Sequence, residues 1–163
     1  MEPRTPQTEL TSLVISPNRD LAQMFAATLP TTRAFHILAE MKTYPPVQTL
    51  DIRLRQLRPD LVFIDLATDL KQAAELIEFI AAVRPPVFVV GLHTHNESDA
   101  ILRSLRAGAT EFLYAPFDLE MQRQALGRIM RLRKPPRRLF VEPGPPLVLL
   151  SDIRLDNANV ENS

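Results

Sequence analysis

The chain has no cysteine. That removes disulfide frameworks, thiolate nucleophiles and thiolate-held metals, and fits a reducing compartment. It also lacks an excess of either charge: 19 Lys plus Arg balance 19 Asp plus Glu. No global field therefore draws the molecule to nucleic acid or to an anionic membrane, and any such binding has to be local. No apolar run approaches the ~20 residues of a membrane span, and the opening Met1 to Glu9 is polar, without the apolar centre of a secretory signal. The expectation is a cytoplasmic protein with residues 1–9 as a flexible N-terminus. Internal repeats are absent as well. What is present is ordinary for a globular protein: 163 residues, 45% hydrophobic and 23% charged, enough for one domain with a real core and a short appendage.

Apolar patterning divides the chain into alternating strands and helices. Leu10 to Ser16 is a short β-branched run ending at Pro17-Asn18, and Asn18 is placed to cap a helix over Arg19 to Leu29 that Pro30 stops. Phe35 to Met41 reads as a second strand, and Val47 to Leu57 as a helix with Val47, Leu50, Leu54 and Leu57 on one face. Leu61 to Asp65 is continuously apolar until its last residue, the pattern of a strand buried on both faces that delivers one carboxylate at its end. A helix follows over Leu70 to Val83, with Leu70, Ala73, Ala74, Ile77, Ile80 and Ala81 inward. Then come a fourth strand (Val87 to Val90), a helix over Glu97 to Ala107 ended by Gly108, a fifth strand (Glu111 to Tyr114), and a helix capped by Asp118 and running to about Leu132. Five strands alternating with five helices predict a doubly wound α/β fold, a parallel sheet covered on both faces over residues 10–132. In such sheets functional groups gather at the carboxyl ends of the strands: here Ser16, Pro17, Asp65, Gly91 and Ala115. From Arg133 to Ser163 the chain turns proline-rich and reads as a linker or packed extension, with Leu139 to Glu142 and Leu147 to Leu150 as a candidate hairpin.

Three segments together resemble the receiver domains of bacterial response regulators: Arg58 to Asp65, Pro86 to Val90, and Leu105 to Asp118 with its Gly-Ala, Phe-Leu and Pro-Phe pairs. The resemblance implies that Asp65 stands at the phosphoacceptor position. Phosphoryl transfer to a carboxylate gathers negative charge and calls for a divalent cation. In that family two acidic residues after the first strand hold it. Here they are Ser16 and Pro17, so at most weak Mg²⁺ binding is expected and no cofactor. The hydroxyl residue that the family places after the fourth strand is Gly91, and the lysine after the fifth is Ala115, although Pro116 is kept. The loop after the acceptor is Leu66-Ala-Thr-Asp-Leu70 in place of the family's acidic Met-Pro loop. Each lost contact removes a few kcal/mol of transition-state stabilisation, and 1.36 kcal/mol is about tenfold in rate. The expectation is a pseudo-receiver, not an enzyme, in which Asp65 is bonded by nearby backbone N–H groups or simply solvated; an active phosphoacceptor at Asp65 is the alternative.

Receivers stripped in this way resemble the N-terminal domain of tight-adherence (Flp) pilus assembly proteins, which precedes an ATPase domain of the ParA/MinD type. That resemblance implies a localisation or dimerisation module whose partner is a protein, an ATPase domain or a pilus component. No Gly-x-x-x-x-Gly-Lys-Ser/Thr occurs in the chain, so ATP binding does not carry over. The expected association face combines the fourth predicted helix, fifth strand and fifth helix: Ile101, Leu105, Phe112, Tyr114, Leu119, Gln122 and Arg123, with Phe112 at the place of the family's switch aromatic and expected in a single packed rotamer. Two further features carry little. His93-Thr-His95 is a weak metal pair on an expected loop without a third ligand, and His36 reads as a half-exposed strand residue. Arg128, Arg131, Arg133, Lys134, Arg137 and Arg138 read as a solvated basic end to the last helix, without the interleaved aromatics of a nucleic-acid surface.

Overall fold

A computed structural model describes residues 9–133; the N-terminal stretch before them and the proline-rich extension, with its candidate hairpin, lie outside the described residues. The elements run β1 (Leu10–Ile15), α1 (Arg19–Ala26), α2 (Leu29–Thr32), β2 (Phe35–Met41), α3 (Val47–Leu57), β3 (Leu61–Asp65), α4 (Leu70–Ala81), β4 (Phe88–His93), α5 (Ser98–Ala107), β5 (Glu111–Tyr114) and α6 (Leu119–Arg133). All strand pairs are parallel, in the order β2-β1-β3-β4-β5. β3 is central and every one of its residues is buried, as its unbroken apolar run requires.

The two faces of the sheet have separate cores. On one, Leu13, Ile15, Val62, Ile64 and Val89 pack with Leu50 and Leu54 of α3, Ala73, Ile77 and Ile80 of α4, and Ala100 of α5. On the other, Phe63 lies 4.5 Å from Phe25 of α1 and 5.0 Å from Phe35, and Phe25 lies 5.2 Å from Phe117, spacings that suit tilted and edge-on aromatic pairs. β2 contributes to both faces because its register slips. Ser12 pairs with Ile37 but Leu13 pairs with Ala39, so Leu38 is an extra residue in the strand. A period-two strand cannot otherwise place Phe35 against Phe63 on one face and Ala39 and Met41 against the Leu13 core on the other.

Some local expectations need correction. Pro30 does not simply stop the first helix. α1 already ends at Ala26, and Pro30 sits in the first turn of α2, where its missing N–H costs nothing. Val47 is exposed rather than inward, and Leu76 takes the inward place on α4 that the exposed Ala81 does not. β4 does not end at Val90: ladder partners on both sides carry it through Gly91 and Leu92 to His93. Gly91 is therefore a buried strand residue, and His93 closes the strand instead of lying on a loop. Gly108 caps α5 at φ +123°, a conformation open to glycine, and it must be glycine for space too, since a β-carbon there would meet Ala81 Cβ at 2.6 Å.

Candidate functional site

Asp65 ends β3 with no exposed surface. The chain turns sharply after it, and the carboxylate closes that turn on itself: Oδ1 accepts from Ala67 N at 2.7 Å and Thr68 N at 3.1 Å, and Oδ2 accepts from the Thr68 hydroxyl at 2.6 Å. This is the local side-chain-to-backbone pattern by which aspartate organises a turn. A second loop reaches the same group. Asn18 N donates to Oδ2 at 3.2 Å, and Ser16 Oγ lies 3.3 Å from it. The serine's one proton is directed mainly at Asn18 O, 2.8 Å away, so its contact with Asp65 is the weakest of the set. From a third direction Tyr44 Oη donates to the Asp65 carbonyl at 2.6 Å and accepts from Asp69 N at 3.2 Å. Burial, and then the negative charge of Asp65, hold the Tyr44 hydroxyl well above its ordinary ionisation range, so it stays a protonated donor.

The carboxylate is thus caged, not solvated. Sequence reasoning anticipated backbone donors but missed the Thr68 hydroxyl, Asn18 and Tyr44. Thr68 was legible in principle, since an aspartate followed three residues later by threonine ahead of a helix is a turn-closing pattern. Tyr44 was not, because it is 21 residues away in sequence.

The other positions offer little chemistry. Ser16 is buried and committed to its own loop, while Pro17 presents no side-chain ligand. Ala115, half-buried after β5, supplies only a methyl group, with its N–H bonded to His93 O. Gly91 has no side chain, and the space beside it is filled: a β-carbon there would lie 2.6 Å from Leu66 Cδ1. A divalent cation at Asp65 does not fit this set. One enclosed carboxylate whose oxygens already accept from protein donors, beside a proline, leaves no open coordination sphere for a hard cation. Among the described residues no group of three or more His, Cys, Asp or Glu is arranged to hold a metal.

His93 and His95 do meet, with ring centroids 4.7 Å apart, but His93 Nδ1 accepts from the backbone N–H of Thr94 and of His95. Burial foremost, then neighbouring His95, lowers the His93 pKa, which keeps the ring neutral with its proton on Nε2. His36 is exposed rather than half-exposed. Arg128 is exposed and also paired: its guanidinium donates to Glu111 of β5 through Nε–Oε2 at 2.6 Å and Nη2–Oε1 at 2.8 Å. Arg131 and Arg133 are exposed on the end of α6, and Lys134, Arg137 and Arg138 lie outside the described residues.

Of the expected association face, Leu105, Leu119 and Arg123 are exposed, and Ile101, Phe112 and Tyr114 are half-buried. Gln122 is not part of it. With Ala125 and Ile129 it forms the inward stripe of α6, and its Nε2 donates to Thr28 Oγ1 at 2.6 Å and to Phe117 O at 3.1 Å. Its polar identity suggested a surface place, while its three- and seven-residue spacing from the stripe set an inward one. α5 keeps its charged residues outside but does not bury its leucines. It buries the small Ala100 and Ser104 and exposes Leu102 by 47% and Leu105 by 44%. The small side chains let α5 lie close on α4, and the large ones are left facing out.

No protein-family model matches the chain. A curated relative, the transcriptional regulatory protein MalR of Bacillus subtilis (strain 168), is 32% identical over 75 residues, 46% of this chain and 32% of that protein, so the shared stretch spans about a third of the relative's length. Among solved structures, a response regulator from Thermotoga maritima aligns with a TM-score of 0.61 at 24% identity, covering 76% of this chain and 98% of that one. A pilus assembly-related protein from Burkholderia pseudomallei K96243 aligns at 0.62 and 21%, over 80% and 96% of the two chains. A pilus assembly protein (CpaE) from Burkholderia thailandensis E264 aligns at 0.59 and 19%, over 75% and 98%. The chain has the receiver fold, and its structural neighbours include both response regulators and pilus assembly proteins.

Proposed function

We propose that this chain is a pseudo-receiver, a binding module that works without phosphorylation through the face made by α5, β5 and α6, with a second copy of the chain as its occupant. The observation that carries this reading is the Asp65 cage. An acceptor carboxylate needs a free lone pair on a line of approach from solvent. Here the group has no exposed surface, and the donors that would otherwise receive a phosphoryl group are spent on the carboxylate itself. The outward leucines of α5 support the association face: Leu102, Leu105 and, on α6, Leu119 are large apolar groups in water, and Phe112 and Tyr114 of β5 are half-buried. The pilus assembly proteins among the structural neighbours support a role in organising such an assembly, with an ATPase domain or pilus component as a further protein partner and a cytoplasmic site of action. Among the described residues no helix is long and apolar enough to cross a membrane.

A second reading, a working phosphoacceptor, is favoured by one observation: the carboxylate at the acceptor position is present in a fold shared with response regulators. Native mass spectrometry with and without Mg²⁺ and acetyl phosphate separates the two. The expected result is a dimer carrying no added phosphoryl mass under either condition. A phosphoryl adduct that maps to Asp65 overturns the proposal.

A further inference from the structure

Gly91 poses a physical question of its own. It sits inside β4, buried and paired on both sides, where glycine weakens a strand. Its backbone does not explain it: among the described residues Gly108 is the glycine with positive φ, and Gly91 has the conformation of an ordinary strand residue. Space does explain it. A β-carbon at position 91 would meet Leu66 Cδ1 at 2.6 Å and Cγ at 3.2 Å. The end of a leucine can often swing aside, but Leu66 is only 1% exposed and belongs to the core that α3, α4 and α5 share. Any shift has to be passed to its neighbours.

One of those neighbours leads to the surface. Gly91 pairs with Phe112 across the β4-β5 ladder, Phe112 packs against the same core as Leu66, and its ring centroid is 5.9 Å from that of Tyr114. We propose that Leu66 and Gly91 are a matched pair, the leucine filling the space that a side chain at position 91 would take, and that this pair is the positioning element that holds Phe112, and with it β5's part of the association face, in one conformation. The link to association rests on the function proposed above; the pairing and its hold on Phe112 do not.

The test is a double-mutant cycle on the full chain with a ¹⁹F-labelled phenylalanine at position 112. In urea unfolding, Gly91→Ala lowers the folding equilibrium constant by roughly tenfold or more through overpacking, and Leu66→Ala by roughly a hundredfold or more through the void it leaves. The double variant loses at least about tenfold less than the product of the two, because the new methyl enters the void. Should Leu66→Ala fail to fold, Leu66→Val completes the same cycle. In the native protein the fluorine signal at 112 is single and sharp, and in Leu66→Ala it broadens or splits. Losses that simply multiply overturn the matched pair. An unchanged fluorine signal in the folded leucine variant overturns its hold on Phe112. Neither result depends on whether the chain dimerises, so failure here is distinguishable from failure of the proposed function.

Discussion

Asp65 shows how much one residue's meaning depends on its partners. With Thr68, Ala67 and Asn18 all donating to it, the carboxylate joins the β1-α1 and β3-α4 loops. Asp65→Asn turns an NH₂ group toward donors that need an acceptor, and should cost about 3 kcal/mol, read as a shift of the urea midpoint at unchanged slope. If Asp65 were an exposed acceptor, the same change would be nearly neutral. His93 gives a pH dependence. Burial, then His95, depresses its pKa from the ordinary 6.5, while Glu97 and Asp65 act weakly the other way. The folded state therefore favours the neutral ring, and this contribution is fully present above about pH 6.5 and is lost as pH falls from there toward the folded-state pKa. The expected outcome is that His93→Gln flattens the decline in melting temperature on the acid side of that value.

At the scale of elements, β2 and α5 depart from simple patterning for different reasons. The extra residue Leu38 in β2 lets one strand feed two cores. Deleting Leu38 would leave a regular ladder with Ala39 still opposite Leu13 and Met41 opposite Ile15, so both cores keep their residues and the variant should retain cooperative thermal unfolding by circular dichroism. Leu38→Lys changes a side chain that is already 37% exposed and should shift stability by less than about 0.5 kcal/mol. No periodicity argument reveals the bulge, because the odd-numbered residues of β2 stay the inward ones throughout while the face they meet changes. α5 was readable as a helix from its spacing and its terminal Gly108, but not which side of it faces the core. That side was chosen by how closely α4 approaches, which admits Ala100 and Ser104 and excludes the leucines.

For the whole molecule, the prediction concerns association. Leu105→Asp and Leu102→Asp place charge on the exposed side of α5, and each should shift the chain toward monomer in sedimentation velocity while moving the melting temperature by no more than a few degrees. Sedimentation unchanged in both variants would move the interface elsewhere. Because formal net charge is zero at neutral pH, the monomers carry little mutual repulsion, and association should depend weakly on salt compared with a charged interface.

The alternation of strands and helices, the buried run of β3 and the placement of Asp65 at a strand end were legible in the sequence, because periodicity and residue type are local properties that survive in one dimension. Only the tertiary structure decided that Asp65 is caged, that Tyr44 braces it from 21 residues away, that Gln122 points inward, that the leucines of α5 point out, and that Leu66 fills the space beside Gly91. Each of these depends on which atoms from distant segments arrive within a few ångströms of one another. That distance is set by packing, and no single segment of the chain contains it.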